Sequence, residues 1–136
     1  MTSRVFVEYH QERKGAATNR PGVDEVSGAE FEVYVARILK DIGYEDVRGT
    51  PASGDQGADL IAKKEGRAIV IQVKRYQGPV GNKAVQEVAA AVKFYGADEG
   101  WVVTNATFTQ SAKALAQKNN IKLIDGTELE KMRNQR

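Results

Sequence analysis

The sequence predicts an α/β fold: a mixed β-sheet flanked by helices, in the order helix, three strands, helix, strand, helix, strand, helix. Three observations carry this. A tight turn at Lys64-Glu65-Gly66 joins two apolar stretches into a hairpin. Trp101-Val102-Val103 is an uninterrupted apolar run, suited to a central strand covered on both faces. A strand, helix, strand succession from Gly100 to Ile124 then implies a parallel pair with a right-handed crossover.

The elements follow in order. Residues 1–26 form an N-terminal arm or linker: Val5 to Tyr9 could make a short strand, and Gln11 to Gly22 is polar, with Gly15, Pro21 and Gly22. A loosely held arm is the first expectation, and an added edge strand or one exchanged within a dimer is the alternative. The domain proper, 27–136, opens at Ser27, which with Glu30 fits a capping box. Phe31, Val35, Ile38, Leu39 and Ile42 then recur at helical spacing, and Gly43 stops the helix. A short extended piece, Asp46 to Arg48, precedes the turn-rich loop Gly49 to Gly57. Strands Ala58–Lys63 and Ala68–Tyr76 make the hairpin. Helix Lys83–Tyr95 buries Val85, Val88, Ala89 and Val92, and strand Gly100–Thr104 follows. Helix Gln110–Lys118 leads to strand Ile121–Ile124, and a last helix starts near Glu128, with Thr127 and Glu130 as a second capping box.

Composition removes whole classes of function. The 136 residues hold 41% hydrophobic and 28% charged residues, as in a folded globular domain. There is no cysteine, so a disulfide scaffold, a thiolate zinc site and a thiol nucleophile are excluded. The single histidine, His10, excludes multi-histidine metal sites. No apolar run approaches the ~20 residues that span a bilayer. Met1 to Glu8 lacks the apolar core of a signal peptide, so a cytoplasmic location without membrane contact is expected.

The chemistry concentrates on the strand Ala68 to Tyr76. Side chains alternate faces, so Ile69, Ile71 and Val73 point into a core while Gln72 and Lys74 point together the other way. An amide and an ammonium in such a strand need polar partners. Pairing through the Glu65-Gly66 turn places Asp59 opposite Gln72, within a register step. A hard cation such as Mg²⁺ takes about six oxygens, often with one or two protein carboxylates. Asp59, the Gln72 side-chain oxygen and the Val73 carbonyl could form half of that shell, with Lys74 beside the bound water. The plain alternative is a hairpin edge on which Asp59 pairs with Lys74.

Gly54-Asp55-Gln56-Gly57-Ala58-Asp59-Leu60-Ile61, followed by Ile71-Gln72-Val73-Lys74-Arg75-Tyr76, resembles the Mrr-like restriction endonucleases of the PD-(D/E)xK nuclease superfamily. The likeness extends to Phe31-Glu32, Gly43-Tyr44, Trp101 to Asn105 and Phe108-Thr109, over about residues 27–130. The resemblance implies a restriction-endonuclease-like core and Mg²⁺-dependent hydrolysis of DNA phosphodiesters, with Mn²⁺ as a substitute. It implies Asp59 as the metal-binding aspartate and Lys74 as the catalytic lysine. Gln72 stands where most of the superfamily has a carboxylate, a substitution this family shares. Glu32 matches the helix glutamate that extends the metal shell. Related enzymes carry a separate DNA-binding domain, for which 26 residues leave no room. Specificity is thus expected from another domain or subunit.

Blander roles account for several neighbouring residues. Glu30 is accounted for by the cap, Asp55 by the turn, and Tyr76 by packing. Residues 61–83 hold Lys63, Lys64, Arg67, Lys74, Arg75 and Lys83 against Glu65, a local net charge of +5 in a chain of +2 overall. Clustered basic residues beside a phosphodiester site are a footprint for nucleic acid. Lys63, Lys64, Arg75 and Lys83, with Gln77 at the rim, are the candidate DNA-binding residues. The expected activity is a restriction-type endonuclease on double-stranded DNA, modified DNA included. It would act as a homodimer, since duplex cutting needs two sites. The alternatives are a junction-resolving or repair nuclease, or a non-catalytic DNA-binding module.

Overall fold

The computed structural model describes residues 28–51 and 57–135. The elements are α1 (Gly28–Asp41), β1 (Glu45–Gly49), β2 (Leu60–Lys64), β3 (Arg67–Lys74), α2 (Asn82–Tyr95), β4 (Glu99–Thr104), α3 (Gln110–Lys118), β5 (Ile121–Ile124) and α4 (Gly126–Arg133). This is the order expected. The expected arm, residues 1–26, and the proposed cap Ser27 lie outside the described residues.

The strands form one sheet in the order β1-β2-β3-β4-β5. β1, β2 and β3 are antiparallel neighbours, whereas β3, β4 and β5 run parallel. The hairpin register runs from Leu60 opposite Ile71 to Lys64 opposite Arg67. Its turn has φ of 52° at Glu65 and 81° at Gly66. Two successive left-handed residues make the tight type of loop whose twist matches that of the strands. β2 begins two residues later than expected, yet Asp59 N still donates to Ile71 O at 2.8 Å. β3 ends at Lys74 rather than Tyr76 because its partner changes there. Asn105, just past β4, accepts from Tyr76 N through Oδ1 and donates to Tyr76 O through Nδ2, both at 2.8 Å. A side-chain amide thus extends the ladder by one rung.

Apolar layers cover both faces of the sheet. α1 and α4 pack Phe31, Val35, Leu39, Leu129 and Met132 on Leu60, Ile69, Ile71, Trp101 and Val103. α2 and α3 pack Val85, Val88, Ala112 and Ala116 on Val70, Val102 and Ile121. Ile42, expected in the α1 stripe, falls beyond the helix and is only half-buried against it. The start of α4 corrects the sequence reading: its cap is Asp125, whose side chain accepts from Glu128 N at 2.9 Å, rather than Thr127. Gly126 sets this start. Its N–H donates to Ala106 O, and an added Cβ would stand 2.3 Å from Asn105 O.

Candidate active site

Asp59 sits just ahead of β2, in backbone pinned on both sides. Thr50 N donates to Asp59 O at 3.0 Å, and Thr50 Oγ1 donates to Ala58 O at 2.9 Å from a buried position. The Asp59 carboxylate accepts from Val73 N at 2.8 Å through Oδ2. A carboxylate has further lone pairs to offer. A strand residue sends its N–H and C=O to the same edge, so the Val73 carbonyl faces this place too.

Gln72 lies on the opposite side of the strand from Ile71 and Val73 and is 3% exposed. Its Nε2 donates to Gly57 O at 2.7 Å. Its Oε1 is buried with no hydrogen-bond partner among the described residues. Such an orphan acceptor is costly unless something occupies it. Gly57 makes the arrangement possible: its φ is +84°, and an added Cβ would stand 2.2 Å from the backbone oxygen of Glu87. Only glycine fits this approach of the loop to α2.

Glu32 reaches the site from α1, on the other layer. Burial, and then the neighbouring Asp59 carboxylate, push its carboxyl up to about 7. Burial also raises Asp59 above the ordinary carboxylate range, while the Val73 N–H and Lys74 act against this and Glu87 adds to it. The plain Asp59–Lys74 ion pair is not what forms. Lys74 Nζ instead lies 3.7 Å from Glu87 Oε1 on α2. Glu87 is not among the residues expected from the sequence. Its one signal was a carboxylate directly beside the Val85–Val88 stripe, and the approach of α2 to β3 could not be read from spacing.

Two carboxylates whose charged forms are disfavoured by burial, an amide oxygen without a partner among the described residues and a backbone carbonyl suit a hard divalent cation, which would relieve all of them together. Among the described residues no group of three or more His, Cys, Asp or Glu could hold a metal by itself. The amide and carbonyl oxygens would therefore have to complete the shell.

The other candidates divide by location. Gln77 and Lys83 are exposed just beyond β3 and in the first turn of α2, and Arg75 follows Lys74. Lys63 and Lys64 stand at the far end of β2, roughly 15 Å from Asp59 at ~3.3 Å per residue. There Lys63 lies 3.8 Å from Asp46, and Lys64 lies over the Tyr44 ring. The structure does not bring them to the site. Tyr76 does not pack as expected; the residue is 43% exposed. Asp55 lies outside the described residues.

A mixed sheet between two helical layers, with Glu32, Asp59, Gln72 and Lys74 gathered near the carboxyl end of β3, defines a restriction-endonuclease-like domain. The Mrr_cat restriction endonuclease family model matches residues 23–133, and the chain belongs to this family. It is 30% identical over 113 residues to the type IV methyl-directed restriction enzyme EcoKMrr of Escherichia coli, covering 77% of this chain and 37% of that protein. An uncharacterised Archaeoglobus fulgidus protein is 27% identical over 105 residues, covering 71% and 60%. The chain thus spans less than two thirds of each of these relatives. The fold is similar to that of the MspJI restriction endonuclease, solved with a 27-mer oligonucleotide (TM-score 0.59, 19% identity, 93% of this chain and 30% of that one). The modification-dependent restriction endonuclease AspBHI is also similar (TM-score 0.56, 14% identity, 94% and 34%). No helix among the described residues is long and apolar enough to cross a membrane.

Proposed function

We propose that this domain is a divalent-metal-dependent DNA endonuclease, with methylated duplex DNA among its substrates and a homodimer as the cutting form. The observation that carries the reading is the buried Gln72 Oε1, without a hydrogen-bond partner among the described residues, on the strand face it shares with Lys74 and next to Val73, whose N–H holds the Asp59 carboxylate. Asp59, Gln72, the Val73 carbonyl and Glu32 would hold Mg²⁺, or Mn²⁺ in its place. The bound ion would supply Lewis-acid polarisation of the phosphate and a more acidic water. Val73 N–H fixes the Asp59 carboxylate, and Gly57 O fixes the Gln72 amide. Lys74 presents N–H donors to the charge that develops on the phosphate. The methyl-directed E. coli relative supports modified DNA as substrate, and the match of this chain to only 37% of that relative supports specificity supplied by a further domain or subunit.

The test is incubation with linear, methylated, nicked and branched DNA, with Mg²⁺, with Mn²⁺ and with chelator. Cleavage that needs the cation is the expected result. Asp59→Ala should abolish it while leaving a folded protein that no longer binds Mg²⁺ by calorimetry. Cleavage confined to branched DNA would favour a junction-resolving nuclease. DNA binding with no cleavage under any condition would favour a binding module.

A further inference from the structure

Glu87 touches the site in two ways, although it lies on α2, thirteen residues beyond Lys74. Its Oε1 is 3.7 Å from Lys74 Nζ. Its backbone carbonyl is the surface on which Gly57 packs, and the Gly57 carbonyl in turn holds the Gln72 amide. Both members of the ion pair are part-exposed, with side-chain exposures of 28% for Lys74 and 35% for Glu87. Such a pair adds little stability, so its value is better sought in geometry. A lysine ammonium rides on a flexible four-carbon stem and carries three N–H donors. The ion pair with Glu87 restrains the stem and leaves the N–H donors for a phosphate oxygen or a water. The same carboxylate places a negative charge close to where a DNA phosphate must come, which opposes binding.

Resting on the nuclease reading, we propose that Glu87 is a positioning residue: it anchors the Lys74 ammonium from the α2 side for the chemical step, at some expense of DNA affinity. A merely structural role predicts neither the opposite signs of these two effects nor their dependence on Lys74.

The experiment measures single-turnover cleavage with Mg²⁺ and DNA affinity with chelator, on the full chain. The variants are Glu87→Gln, Glu87→Asp, Lys74→Ala and Lys74→Ala with Glu87→Gln, each checked by its melting curve. Glu87→Gln should cleave about 10-fold to 100-fold more slowly, the usual cost of losing an outer positioning partner, while binding DNA as tightly or more tightly. Glu87→Asp should recover part of the rate. In the Lys74→Ala background, Glu87→Gln should cause no further loss, because the two act as one unit. Wild-type cleavage by Glu87→Gln, an equal loss with and without Lys74, or a loss explained by weaker DNA binding would each overturn the proposal. A wild-type chain inert on every DNA would overturn the nuclease reading, and this proposal with it.

Discussion

Gln72 shows how one amide can serve two ends. Its nitrogen donates to Gly57 O, while its buried oxygen has no hydrogen-bond partner among the described residues. The change Gln72→Glu keeps the length and the oxygen but turns the donor into an acceptor facing a carbonyl. Without metal, this should destabilise the domain by about 1–3 kcal/mol, the cost of an unmet buried polar group. With Mg²⁺ the added carboxylate gains a partner, so much of the loss should be recovered. Melting curves with and without Mg²⁺ check this; equal deficits in both would show that residue 72 does not face the cation. The strand pattern singled out Gln72 and Lys74 because alternation alone puts them on one face. Glu87 left no comparable trace, since its role depends on where α2 lands.

Two features of the elements carry consequences for the site. The segment Gly57-Ala58 ahead of β2 is held between Thr50 on one side and the α2 backbone on the other. Gly57→Ala would drive a Cβ into Glu87 O and force an alanine to a φ of +84°. A loss of at least ~2 kcal/mol in stability is expected, with cleavage falling further as Gln72 loses its anchor. Denaturation and cleavage rates on the same preparation test this. The hairpin offers a second case. Its basic residues look like one cluster in sequence, but the strands carry Lys63 and Lys64 away from Lys74 and Arg75. Salt titrations of DNA binding should therefore separate two double variants. Arg75→Ala with Lys83→Ala should weaken binding and reduce the salt slope by about one per lost phosphate contact. Lys63→Ala with Lys64→Ala should do so less; the reverse ranking would place the DNA along the hairpin turn.

For the molecule as a whole, two half-buried acids shape the dependence of stability on pH. Glu32 has its folded carboxyl raised to about 7 from 4.5. The folded state then binds the proton more tightly than the unfolded chain. Its contribution is fully present below about 4.5 and is lost as pH rises through about 7. Asp59 is shifted in the same direction. The metal-free domain should thus be more stable near pH 5 than near pH 8. For Glu32 the difference is about 1–2 kcal/mol, once the full shift is discounted for solvent screening. Glu32→Gln should flatten the curve, as read by denaturant midpoints across that range. Stabilisation by Mg²⁺ should be larger at the higher pH, where the ion meets carboxylates already free of protons.

Local chemistry decided much of this protein in advance. The Glu65-Gly66 turn, the period-two pattern of β3 and the apolar run at Trp101 set the hairpin, its register and the central strand, because each depends on contacts between near neighbours. The same register placed Asp59 beside Gln72, and the motif resemblance added Glu32. Other features were settled only by packing between distant segments. The start of α4 moved to Asp125 because Gly126 must fit beneath Asn105. β3 gained a final rung from Asn105. Lys74 pairs with Glu87 because α2, docked through Gly57, brings that carboxylate to 3.7 Å from the ammonium, while the Asp59 carboxylate is turned to the Val73 N–H. Such choices rest on where whole elements come to lie, and the spacing of residues along the chain does not contain that distance.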